Sequence, residues 1–331
     1  MLRFAIKRTL QLIPLIILLS MVTFIVINLP PGDFLSTYVN NLRSSGVIVL
    51  DEEIKELEAR YGLGQPIYVQ YFRWIGNVLQ GNLGYSFSWN RPVNDLIAER
   101  LGNTIILSIT SLILIWLVAF PLGYYSATHQ YSTSDYVFTS ISFLGMSIPN
   151  FLLAIVFMWV YFLASGKFLS GMFAIEFTGQ PMSWAKFASI LQHMWMPYLI
   201  IVITGTAGLF KTFRANLLDE LGKPYVQAAR AKGVPNRRLL IKYPVRIALI
   251  PFISTVGWML PGLISGQTLL AIVMGLPTLA PLLQSSLRSQ DMFLAGSILL
   301  VLCILTVIGT VISDVLLALT DPRIRDAIGK G

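Results

Sequence analysis

The polar and apolar positions of this chain alternate on the scale of whole helices rather than single turns. Apolar runs near 9–29, 103–127, 137–165, 194–212, 247–275 and 292–319 are separated by polar stretches, the longest at 30–100. A helix crosses a bilayer core with about 20 apolar residues. The pattern therefore predicts an all-α integral membrane protein with six transmembrane helices. The third run holds Pro149, and the fifth holds Pro251 and Pro261. Both runs exceed the length of a straight crossing, and tilt or proline bends accommodate the excess.

The polar stretches carry their own patterns. "DEEIKELEARYGL" (51–63) spaces Ile54, Leu57 and Tyr61 helically, with acids at its start, where the helix dipole favours them. "QPIYVQYFRWIGNVLQGNLG" is rich in aromatics and is expected to lie along the membrane surface. In 215–246, Pro224 suits a helix first turn, and Gly233 suits a left-handed cap after "YVQAARAK". Pro235 opens a second short helix, and Pro244 leads into the fifth run. The predicted organisation is a first segment and span (1–29), an extracytoplasmic cap (30–100) and a transmembrane core (101–331) with the 215–246 loop.

Charge sets the expected orientation. Arg3, Lys7 and Arg8 precede span one, and Arg323, Arg325 and Lys330 follow span six. Residues 211–246 hold nine Lys/Arg against Asp219 and Glu220, whereas 30–100 holds six Lys/Arg and eight acids. The positive-inside bias puts both termini and the loop in the cytoplasm. The net charge of +8 then reads as a topology signal and not as a nucleic-acid surface. The first apolar run, Thr9 to Leu29, outlasts the roughly 7–15 residues of a signal h-region. It is expected to be a retained span.

Composition narrows the class. Charged residues make up 12% of the chain and hydrophobic ones 55%, with a mean hydropathy of +0.70. A soluble domain carries about 25% charged residues, so lipid is the expected solvent. Cys303 is the single cysteine and lies in an apolar run, which excludes disulfide scaffolds and cysteine metal sites. GxxxxGK[ST] and HExxH are absent, and His129 and His193 stand alone. No catalytic or metal site is expected. Residues 247–287 run for 41 positions without Asp, Glu, Lys, Arg or His. An ion-coupled carrier ordinarily needs an intramembrane carboxylate, so the driving energy is expected from outside the chain. A secondary carrier or channel, and a membrane scaffold without transport, are the alternatives.

The loop is where that energy could enter. Ala228, Ala229, Ala231 and Gly233 give low side-chain bulk, and Arg230, Lys232, Arg237 and Arg238 flank them. Such a surface admits a close protein partner, and it also suits anionic headgroups.

"AARAKGVP", the basic run after it and "RIALIP" resemble the cytoplasmic EAA loop of binding-protein-dependent ABC importer permeases. "RTLQLIPLIILLSMVTFIVINLPPGD", "RYGLGQPIYVQYFRWIGNVLQGNLGYSF", "RPVNDLIAERLGNTIILS", "SFLGMSIPNF" and "LTDPRIR" resemble, in order, the oligopeptide/dipeptide/nickel permease branch, which also includes oligosaccharide importers. The resemblance implies an ATPase-docking loop comprising Tyr225, Gln227, Ala228, Ala229, Arg230, Ala231, Lys232, Gly233, Arg237 and Arg238. It implies a homologous second permease, two ATPase subunits holding ATP and Mg, and an extracytoplasmic substrate-binding protein. It also implies a multi-pass place among the lipids of a prokaryotic cell membrane. Four positions, one in the loop and three after span five, depart from the pattern. Gln227 stands where the loop's acid would be. In "AIVMGLPTLAPLL", Ala271 replaces a glutamate, and Thr278 and Ala280 replace glycines. For the pathway or gate, the polar and bendable positions of spans three and five are the candidates. These are Met146, Ser147, Pro149 and Asn150, then Trp258, Met259, Pro261, Ser265 and Gln267.

Overall fold

A computed structural model describes residues 2–27, 65–86, 88–255, 259, 262–263 and 266–320. The acidic segment 51–63, most of the terminal "LTDPRIR" and the candidates Trp258, Pro261 and Ser265 lie outside the described residues. In chain order the elements are α1 (Leu2–Ile27), α2 (Ile67–Leu79), β1 (Tyr85–Ser86), β2 (Arg91–Pro92), α3 (Val93–Thr128), α4 (Thr133–Ser147) and α5 (Asn150–Ser165). A 3-10 turn (Ile175–Phe177) precedes α6 (Trp184–Leu221), α7 (Pro224–Ala231), α8 (Asn236–Lys242), α9 (Pro244–Ser254), α10 (Thr268–Val273), α11 (Leu279–Arg288) and α12 (Met292–Thr320). The all-α expectation needs one small amendment. β1 and β2 pair antiparallel, Tyr85 with Pro92 and Ser86 with Arg91.

Among the described residues, three helices are long and apolar enough to cross a membrane: α3, α6 and α12. α4 and α5 pass the same test only as a bent pair, and the apolar part of α1 (Leu10–Ile25) is shorter. α3 shows which solvent these helices face. Its exposed stripe is Ile106, Ile109, Ile113 and Leu117, while Thr104, Ser108, Ser111, Ala119 and Ser126 are buried. The outward stripe is large aliphatic, as a lipid-facing surface requires, while the small and hydroxylated side chains pack inward beside Leu107 and Ile115. At about 1.5 Å per residue, 38-residue α6 is about 57 Å long, well beyond a hydrocarbon core of about 30 Å. The expected fourth span, 194–212, is thus the middle of a helix that projects at both ends.

The third run departs most from expectation. Rather than one kinked helix, it is two helices turned by 100°. Ile148 (φ −98°, ψ 123°) and Pro149 (φ −58°, ψ 136°) are both extended. Proline disfavours helical backbone in the residue before it and donates no N–H of its own. Two successive non-helical residues turn a kink into a break.

The chain forms two compact units. In the unit built from 105–276 with both chain ends, Ile115 and Ala119 of α3 pack with Met196, Ile200, Ile201 and Phe213 of α6 and Phe252 of α9. Close approach depends on glycine. A Cβ on Gly145 of α4 would lie 2.7 Å from the Ile203 carbonyl oxygen of α6.

In the unit built from 9–104 and 277–307, Tyr71 and Trp74 of α2 are buried against Phe24 of α1 and Leu300 of α12. The Tyr71 hydroxyl is 2.8 Å from Ser20 Oγ. Two of the aromatics expected to lie along the membrane surface are therefore core. The fully buried Asp291 accepts from Ser86 Oγ at 2.6 Å and from the amides of Ser88 and Leu294, both at 3.2 Å. One carboxylate ties the hairpin to the start of α12.

Candidate functional site: the two-helix elbow and the broken span

α7 and α8 form an elbow with local, sequence-encoded ends. Pro224 opens α7 after Lys223. Gly233 closes it at φ +75°, donating to the Arg230 carbonyl at 3.0 Å, while the Val234 amide donates to the Ala229 carbonyl at 3.3 Å. This bond pair is the Schellman closure that a left-handed glycine permits. Val226, Leu239 and Leu240 are buried between the two short helices, with Val234, Ala229, Tyr225, Leu221 and Tyr124 packed around them. Leu221 and Tyr124 also belong to the main core. The elbow is therefore packed directly onto the ends of α6 and α3.

This packing sorts the loop residues singled out in the sequence. Gln227, Ala228, Arg230, Ala231, Lys232, Gly233, Arg237 and Arg238 are exposed. Ala229 and Tyr225 are half-buried and turn inward. Tyr225 donates its hydroxyl to the Glu220 carboxylate. Burial, and then Glu220, push that hydroxyl well above the usual tyrosine range, so it keeps its proton. Gln227 Nε2 reaches back to the Gly222 carbonyl at 3.4 Å. The elbow thus offers an exposed strip of two alanines and a glycine edged by cations. A neighbouring helix or groove can approach its backbone closely.

Behind the elbow sits a charge cluster that sequence reasoning missed. Asp135 of α4 is 2% exposed. Arg214 of α6 donates to it twice, from Nε at 2.8 Å and from Nη2 at 2.7 Å. Ser126 of α3 also donates to it, as does the Tyr131 amide at 3.0 Å. Three helices are bound at one point, two residues beyond Tyr124. Two signals were available: Ser132 capping the Asp135 amide, and a lone arginine near the end of a long apolar run. Neither shows that the two charges, 79 positions apart, are partners.

At the broken span the structure brings two candidates together. Asn150 Nδ2, in the first turn of α5, donates to Gln267 Oε1, just before α10, at 3.0 Å. Met146 and Ser147 lie on the other side of the break. Ser147 Oγ is satisfied by the Phe143 carbonyl at 2.8 Å, and exposed Met146 has Lys211 Nζ at 3.5 Å from its sulfur. Pro149 forms the break, and Met259 is buried in the main core. Among the described residues, no three His, Cys, Asp or Glu side chains are grouped so as to hold a metal ion.

Comparison with known proteins agrees with this architecture. The family described as "Binding-protein-dependent transport system inner membrane component" matches residues 119–326, and its N-terminal companion matches 1–110. The chain belongs to this family of membrane permease components. The oligopeptide transport system permease protein AppB of Bacillus subtilis is 32% identical over 328 residues, covering 97% of this chain and 99% of the relative. A putative peptide permease of Brucella ovis is 29% identical over 331 residues, covering 98% and 99%. OppB of Haemophilus influenzae, also an oligopeptide transport system permease protein, is 28% identical over 326 residues, covering 98% and 100%. The permease therefore aligns end to end with its relatives, and the chain-wide resemblance holds.

Proposed function

We propose that this permease subunit forms half of the translocation pathway of an ATP-driven importer of oligopeptides. A second, homologous permease supplies the other half. Two ATPase subunits, holding ATP and Mg, dock on the elbow, and an extracytoplasmic binding protein delivers the cargo. Six spans cross the membrane with both termini and the elbow in the cytoplasm. The bent pair α4–α5 counts as one span, and α9 with α10 supplies the fifth.

In this reading, nucleotide binding closes the ATPases, and their closure displaces α7. The ends of α3 and α6 follow, because Tyr124 and Leu221 pack on the elbow's apolar centre. The Asp135–Arg214 pair carries the motion to α4, and the break at Ile148–Pro149 lets α4 move while α5 keeps its bond to α10. Nucleotide thereby favours one of two span arrangements. Peptide cargo is favoured because the relatives named above are oligopeptide and peptide permeases.

The observation that carries the reading is the exposed Ala228–Ala231–Gly233 strip, built on a buried cluster and edged by cations. Ala231→Glu adds bulk and an acid on that strip without touching Val226, Leu239 or Leu240. Co-purification of the ATPases and peptide uptake are expected to be lost, while membrane insertion and thermal stability are kept. Ala231→Ser serves as the size control. Full ATPase association and uptake by Ala231→Glu would refute docking at this surface.

A further inference from the structure

A cavity of about 970 Å³ in the 105–276 unit is ringed by the segment between α5 and α6 and the start of α6. It lies at the upper end of the roughly 300–1,000 Å³ spanned by small-molecule sites. Its wall is fixed. The Gly171 amide donates to the Met274 carbonyl at 2.8 Å, and the Ala174 amide donates to buried Ser189 Oγ at 2.9 Å. Its aromatic rings are placed by one another, Tyr161 with Trp195 at 6.2 Å and Phe168 with Phe162 at 4.4 Å between centroids.

Several polar groups on this wall are not used by the fold. Lys186 nearby donates to the Gln180 carbonyl and covers the Phe173 ring. By contrast, the Lys167 ammonium, the Glu176 carboxylate and the Gln192 amide have no partner among the described residues, and all three line the cavity. Among the described residues His193 is bonded at one nitrogen only, Nδ1 to the Ser189 carbonyl at 2.8 Å. A carbonyl only accepts, so Nδ1 carries the hydrogen, and in the neutral ring Nε2 is an unused acceptor.

We infer that this cavity is a receiving site for peptides with free termini, built by Lys167, Glu176, His193 and Trp195. Lys167 meets the ligand carboxylate and Glu176 the ligand ammonium. His193 Nε2 accepts from a peptide N–H, and Trp195 and Phe168 hold an apolar side chain. A neutral oligosaccharide would leave both charges idle, so the wall selects a zwitterion. The inference rests on the import reading and specifies where on this chain the delivered peptide is first held.

The test uses the whole importer, this chain with its cognate permease, ATPases and binding protein, in proteoliposomes. The probe is a mixture of free-termini tri- to hexapeptides, each carrying one benzoylphenylalanine. Irradiation is expected to attach peptide within residues 161–195. In the Lys167→Gln/Glu176→Gln variant, adduct yield and peptide moved per ATP are each expected to fall about tenfold. Two charge-assisted bonds to a solvated ligand are together worth about that factor. Binding-protein-stimulated ATP hydrolysis should stay within about twofold, which a folding fault would not allow, and Lys167→Arg/Glu176→Asp should recover transport. Labelling confined to other segments, or unchanged peptide per ATP in the charge-free variant, overturns the inference and leaves import standing. A wild-type importer that moves no peptide overturns the import reading, and this site with it.

Discussion

Asp135 is the position at which a single atom change should cost most. Its two carboxylate oxygens accept from Arg214 Nε and Nη2, Ser126 Oγ and the Tyr131 amide. Asp135→Asn preserves shape but places an NH₂ where one oxygen was, and either oxygen faces a guanidinium N–H. The amide therefore cannot be oriented to avoid a donor–donor contact. Breaking a buried pair from one side costs about 3–5 kcal/mol. The Arg214 side chain is 24% exposed, so water partly compensates it and the lower end, about 3 kcal/mol, applies. Asp135→Ala should cost about the same, since the stranded guanidinium dominates both. Removing both charges, as Asp135→Leu/Arg214→Met, should cost about 1 kcal/mol or less, because no unpaired charge remains. The double-mutant coupling is then about 2 kcal/mol or more. Equilibrium unfolding in detergent of the wild type, Asp135→Leu, Arg214→Met and the double variant measures all four corners. A coupling below about 0.5 kcal/mol, the size found for exposed pairs, would refute the claim that this cluster binds three helices.

Two further outcomes are expected. Gly145→Ala places a methyl 2.7 Å from the Ile203 carbonyl oxygen, which is backbone and cannot rotate away, whereas the helical Gly208 has open space around it. Gly145→Ala should lower stability by about 2 kcal/mol, read as a falling detergent Tm, with Gly208→Ala neutral or better; equal Tm values would refute the close α4–α6 contact. At the broken span, Asn150→Asp can still bond Gln267 after its amide turns over, while Asn150→Leu cannot. Peptide uptake should stay within about threefold for the aspartate and fall about tenfold for the leucine, the cost of leaving Gln267 unpaired. Equal uptake by both variants would remove this bond from the mechanism.

The sequence by itself determined whatever depends on neighbours in the chain. Run lengths and the scarcity of charge specified apolar helices in lipid, because an unpaired backbone has no other way through hydrocarbon. Pro224 and Gly233 determined the ends of α7, since a missing N–H and a left-handed φ are properties of single residues. Proline at 149 announced a disturbance but not its size, because kinks and breaks begin from the same residue. Only the tertiary structure decided which polar groups meet. The Asp135–Arg214 and Asn150–Gln267 pairs join positions 79 and 117 residues apart, and lone polar residues in apolar helices carry no mark naming a partner. Tertiary structure also turned Tyr71, Trp74 and Ala229 inward, because the same aromatic or small side chain suits an interface or a core. The choice is made by what packs against it, and that lies elsewhere in the chain.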